Sequence, residues 1–127
     1  MAGELQGKKI LLVDDDPEIL VAVKAALEDS GAEFDTASNG NQAVEKALSG
    51  SPDLMVLDLM MPKRSGFLVL EKLKKGKQRT DPPHVVVITG NTGMRHRVWA
   101  ESLGAEGYLQ KPFRMDRLFQ AVIDLLT

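Results

Sequence analysis

The chain has 127 residues, a length that closes one hydrophobic core and not two. With 16 Lys+Arg against 18 Asp+Glu its formal net charge is −2, so no overall field favours nucleic acid or an anionic membrane, and any basic surface must be local. Cysteine is absent, which excludes disulfides and thiol chemistry, and no apolar stretch reaches the roughly 18 residues of a membrane span.

Met1 to Lys9 holds no hydrophobic signal core, so the chain reads as cytoplasmic, with 1–7 a flexible tail and 8–127 one domain. Lys8 to Val13 predicts a strand. Asp16-Pro17-Glu18 then supplies a cap, a first-turn proline and a first-turn acid for a helix with Ile19, Leu20, Val23, Ala26 and Leu27 on one face, ended by Gly31. Glu33 to Ala37 alternates as an edge strand does, and Asn41 to Leu48 predicts a helix closed by Gly50. Asp53 to Asp58 is the third strand. A loop through Pro62 to Gly66 leads to a helix carrying Phe67, Leu68, Leu70 and Leu73, which dissolves into the polar stretch Lys74 to Asp81 before Pro82-Pro83. Val85 to Thr89, Gly93 to Leu103, Gly107 to Gln110 and Met115 to Leu126 complete five strands alternating with five helices, the pattern of an α/β, doubly wound, five-stranded parallel sheet.

Two of these strands end in acids: Ile10-Leu11-Leu12-Val13 runs into Asp14-Asp15-Asp16, and Leu54-Met55-Val56-Leu57 into Asp58. Open α/β sheets place their sites at the carboxyl ends of their strands. Three carboxylates converging there repel one another, so they need raised pKa values or a divalent cation, and an oxygen-only cluster suits Mg²⁺.

The strand ends carry four motifs: Leu12-Val13-Asp14-Asp15, Val56-Leu57-Asp58-Leu59-Met60-Met61-Pro62, Val87-Ile88-Thr89-Gly90 and Gly107-Tyr108-Leu109-Gln110-Lys111-Pro112-Phe113. In this order, from Lys8 to Leu126, the chain resembles the receiver domains of two-component response regulators, of the single-domain chemotaxis type. The resemblance implies a flavodoxin-like (βα)5 fold with strand order 2-1-3-4-5. It implies Asp58 as phosphoacceptor, and Mg²⁺ held by Asp14, Asp15, Asp58 and the backbone carbonyl of Met60. Asp16 is then the spare acid and helix cap, although three adjacent aspartates leave the pairing open by one position. Thr89 and Lys111 would meet the phosphoryl oxygens, with a cis bond between Lys111 and Pro112, and Gly90 would let backbone and phosphate come close. Tyr108 matches the family's switch aromatic, and Met60 and Asn91 fall where members tune phosphoryl lifetime.

The implied partners are a sensor histidine kinase or histidine phosphotransfer protein, and a downstream effector or second copy docking on the fourth helix, fifth strand and fifth helix. There Arg95, His96, Arg97, Trp99, Arg114 and Arg117 predict either a basic docking surface or a solvated charged face. No direct nucleic-acid binding and no membrane contact are implied, and the chain catalyses only its own phosphorylation and dephosphorylation. A haloacid-dehalogenase-like phosphatase would need a second aspartate where Met60 stands, and a phosphorylation-independent binding module would lose the acids or the lysine.

Overall fold

Buried residues run without a break along β3 (Leu54–Asp58) and through all but the first residue of β1 (Lys9–Val13) and β4 (His84–Thr89). Strands with two apolar faces need cover on both sides. The structure is a computed structural model describing residues 3–61, 64–90 and 93–127, and the described residues form a five-stranded parallel sheet of order β2-β1-β3-β4-β5. The edge strands β2 (Glu33–Ala37) and β5 (Gly107–Gln110) are less buried, as one-sided pairing predicts.

Successive strand residues point to opposite faces, and this splits the core in two. Leu11, Val13, Met55, Leu57, Val85 and Val87 pack under α2 (Gly40–Gly50), α3 (Gly66–Lys74) and α4 (Met94–Ser102). Their alternates Ile10, Leu12, Leu54, Val56, Val86 and Ile88 pack under α1 (Pro17–Leu27) and α5 (Met115–Leu126). The doubly wound class and its strand order are therefore as expected. From β1 the chain first crosses to β2 on one side and then to β3 on the other, so the order reverses between β1 and β3. A crevice opens at their carboxyl ends.

Two local expectations are corrected. Residues 3–7 are docked rather than loose: Leu5 is fully buried in the α1/α5 core, and the Gly3 and Leu5 amides donate to the Asp29 and Ser30 carbonyls at 2.9 and 2.7 Å. A single leucine in a polar stretch carries no periodicity, so its burial was invisible in sequence. We expect Leu5→Ala to lower unfolding stability by about 2–5 kcal/mol in urea titrations, the cost of a core truncation, whereas a loose tail would give no change. Second, α2 runs through Gly50, and the left-handed residue that ends it is Ser51, at φ 47°. The stretch after α3 is irregular as expected, and Lys74 pins it: its buried ammonium donates to the carbonyls of Arg79, Asp81 and Pro83 at 3.0, 2.5 and 3.2 Å.

Candidate functional site

Each site residue is placed by the strand it ends. Asp14 follows β1 and is 1% exposed, Asp58 closes β3 at 3%, and Thr89 closes β4 at 0%. Asp15 stays exposed beside them. One carboxylate oxygen from each of Asp14, Asp15 and Asp58 lies within 4.8 Å of the others, so the expected acidic cluster assembles. Asp16 does not join it. Its carboxylate accepts the Glu18 amide at 2.9 Å as the cap of α1, while its own amide donates to Asp14 at 2.9 Å. Among the three adjacent aspartates the geometry selects Asp14 and Asp15.

Lys111 follows β5 and reaches back across two strands. Its ammonium donates to Asp14 Oδ2 at 2.8 Å and sits 3.6 Å from Asp58 Oδ2, with the Lys111–Pro112 bond cis as expected. The Lys111 amide donates to the Thr89 carbonyl at 2.7 Å, which ties the end of β5 to the end of β4. Thr89 pairs in register with Gln110, and Val87 with Tyr108, so Thr89 and Tyr108 lie on one face of the sheet. Tyr108 packs there against the α2–α4 side of the core.

The electrostatics follow from burial. Desolvation pushes the Asp58 carboxyl up to about 6 from 3.8; the Met60 amide, donating to Asp58 Oδ1 at 3.1 Å, and Lys111 hold it down, while Asp14 and Asp15 push it further up. Burial works against charge on Lys111, yet its hydrogen bond to Asp14 and its attraction to Asp58 raise its pKa overall. Among the described residues the site thus carries more carboxylates than cations, and Asp58 loses its proton only near pH 6.

Ser65 and Gly66 shape the far wall. Ser65 caps α3, and a Cβ on Gly66 would stand 2.5 Å from the Asp58 carbonyl oxygen and 2.6 Å from Leu59 Cα, so only glycine lets α3 start this close to the acceptor strand. In sequence Gly66 read only as the end of a loop. Gly90, expected to let backbone and phosphate come close, is exposed, and among the described residues beyond its chain neighbours nothing lies within 4 Å of where a Cβ would stand. Met60 exposes its side chain at the mouth, at 54%, and Asn91 lies outside the described residues.

On the α4 and α5 surface the basic residues are partly neutralised by acids of their own helices. Arg97 Nε is 3.6 Å from Glu101 Oε1, and Arg114 Nη2 is 2.7 Å from Asp116 Oδ2. Trp99 is half exposed and stacks on Phe67 with ring centroids 4.0 Å apart.

These features recur in known proteins. The sequence model of the response regulator receiver domain matches residues 10–123. The transcriptional regulatory protein DltR of Streptococcus agalactiae is 34% identical over 114 residues, which cover 90% of this chain and 50% of DltR. The alkaline phosphatase synthesis transcriptional regulatory protein PhoP of Bacillus subtilis is 39% identical over 106 residues, covering 84% of this chain and 43% of PhoP. The chain spans about half the length of the curated relatives it matches. The solved receiver domain of the Francisella response regulator 1452 superposes with a TM-score of 0.84 at 28% identity, over 94% of this chain and 97% of that one. With its strand order, its acid cluster and these matches, the chain belongs to the response regulator receiver domain family, whose general function is phosphorylation-dependent signalling.

Proposed function

We propose that Asp58 accepts a phosphoryl group from the phosphohistidine of a sensor kinase or histidine phosphotransfer protein, and that the adduct reshapes the surface of α4, β5 and α5. The observation that carries this reading is a buried carboxylate at the end of β3, next to two other carboxylates and within ion-pair reach of Lys111. In the transfer an Asp58 oxygen attacks phosphorus, the P–N bond breaks, and its electron pair stays on the donor imidazole. In the return step water attacks phosphorus, releasing inorganic phosphate and the free carboxylate. The chain turns over no other substrate in this reading.

The cluster fits Mg²⁺. Its donors are all oxygens, a hard set suited to that ion, and the Asp58 pKa, raised first by burial and then by the charges of Asp14 and Asp15, marks a carboxylate whose ionised form a cation would stabilise. Asp14, Asp15, Asp58 and the Met60 carbonyl would hold it. Bound there, Mg²⁺ offsets the charge of the carboxylates and of the incoming phosphoryl oxygens. Lys111 neutralises the same oxygens, and the Thr89 hydroxyl donates to one of them. Movement of Thr89 vacates space on the sheet face it shares with Tyr108, and the ring turns inward. Met60 and Asn91 set access of the hydrolytic water, and a methionine, which neither supplies a base nor orients water, favours a long-lived adduct.

No helix among the described residues is long and apolar enough to cross a membrane, and the net charge of −2 gives no overall field toward nucleic acid. We place the domain in the cytoplasm, with a downstream effector or second copy docking on α4, β5 and α5. The transfer is tested with a small acyl phosphate and Mg²⁺ followed by mass spectrometry. One phosphoryl group should appear, on the peptide carrying Asp58. An equal adduct on Asp58→Asn protein would sink the assignment.

A further inference from the structure

Helix α4 is thinly anchored. Of its nine residues only Ala100 is buried, so its position depends on a few contacts at its flanks. On one flank Trp99 stacks on Phe67 of α3, with the ring planes 14° apart. On the other, the Arg97 guanidinium lies over the Tyr108 ring of β5, its Cζ 5.6 Å from the ring centroid, within the reach of a cation–π interaction. Glu101, one turn along α4, pairs with Arg97 at 3.6 Å and steadies it in this pose. Beside the ring a crevice of about 170 Å³, lined by Gly93, Met94, Arg97, Tyr108 and Gln110, leaves room for the side chains to rearrange.

We propose that Arg97 is a positioning residue for Tyr108: its guanidinium holds the ring against α4 in the resting domain and weights the equilibrium against the phosphorylated conformation. The inference rests on the reading that phosphorylation of Asp58 moves Tyr108. The cation is attracted to the ring's face, so the contact is strong in one ring position and weak when the ring turns inward away from an exposed helix side chain. An interaction made in one state only shifts the balance by its own free energy. For a half-exposed cation–π pair that is a factor of about two to five. Arg97 thereby sets how much phosphoryl energy is needed to reach the active surface, without touching the phosphoryl group itself.

The test uses Arg97→Met, which keeps bulk and loses charge, and Arg97→Lys, which keeps charge and loses the planar stack. Beryllofluoride with Mg²⁺ stands in for the phosphoryl group and is titrated against amide resonances. Arg97→Met should reach its midpoint at about two- to fivefold lower beryllofluoride. In the free variant the Thr89 and Tyr108 amides should already lie part-way along the line toward their bound positions, with Arg97→Lys between the two proteins. Tyr108 is the chain's single tyrosine, so phenol absorbance reads the contact directly, and Arg97→Met should raise the pH at which it ionises, because the cation favours the phenolate. An unmoved ionisation overturns the contact. A moved ionisation with an unmoved midpoint overturns the bias. Absence of any beryllofluoride response in the unmodified protein overturns the Asp58 reading instead, a failure kept distinct because the tyrosine ionisation needs no phosphoryl group.

Discussion

In metal-free protein at pH 8, Asp58→Asn should unfold at higher denaturant than the unmodified domain, with a gain of up to about 3 kcal/mol. The reason is the cost of a buried charge beside two others. Asp58 titrates at about 6 in the fold against 3.8 ordinarily, so the folded state binds its proton more tightly than the unfolded state does. A carboxyl raised this way contributes its stability while protonated; the contribution is fully present below about pH 4 and is lost as pH rises through about 6. The rise from 3.8 to about 6 sets the ceiling of about 3 kcal/mol. An asparagine keeps an oxygen for the Met60 amide and carries no charge, so the variant should be flat across that window. The difference between the two proteins should therefore open between pH 4 and pH 7 and stay constant above it. Urea midpoints across this range in the presence of a chelator check the prediction. Added Mg²⁺ should close the gap, since the cation stabilises the ionised cluster of the unmodified protein. Equal stability of the two proteins at pH 8 without metal would mean that Asp58 is not under electrostatic strain.

Replacing Lys111 by methionine should slow formation of the Asp58 adduct by about a hundredfold or more, the usual loss when one pre-positioned group that meets developing charge is removed. Methionine keeps most of the stem, so packing at the end of β5 is largely preserved. Lys111 is the cation that bridges Asp14 and Asp58, at 2.8 and 3.6 Å. Without it the repulsion between the two acids is unrelieved, and the pH at which Asp58 ionises in the metal-free fold should move above that of the unmodified protein. The lysine's own pKa is raised in the fold, so its stabilising contribution is present below the ordinary value of 10.5 and disappears as pH rises above it. The stability deficit of the variant should accordingly shrink in strong alkali. Initial rates with an acyl phosphate, followed by intact mass, give the first number. A rate within twofold of the unmodified protein would remove Lys111 from the chemistry.

The strand-end acids were legible because a run such as Leu54-Met55-Val56-Leu57 has no reason to be uniformly apolar unless both faces are covered, and an acid closing such a run has to sit at the sheet rim. Thr89 and Lys111 were legible only through resemblance, since a β-branched residue at a strand end and a lysine before a proline each have ordinary explanations. Gly66 was misjudged because its need for no side chain comes from the backbone of Asp58 and Leu59, several residues earlier in the chain. The contacts of Arg97 and Trp99 were out of reach for a similar reason. Their partners Tyr108 and Phe67 lie on other elements, and composition alone showed only a basic helix with one tryptophan.

The sequence by itself determined the alternation of strands and helices, the double-sided burial of the central strands, and the gathering of acids at strand ends, because each of these is written in the period and composition of a few neighbouring residues. Tertiary structure decided which acids meet. It assigned Asp16 to the cap of α1 and left Asp14 and Asp15 for the cluster, a choice that depends on where the helix begins relative to β3. It also brought Lys111 to Asp14 across 97 positions of chain, buried Leu5 from a polar stretch, and gave Lys74 three carbonyls to hold. None of these contacts leaves a periodic trace, because each joins one residue to a surface that exists only after the sheet and its helices have packed.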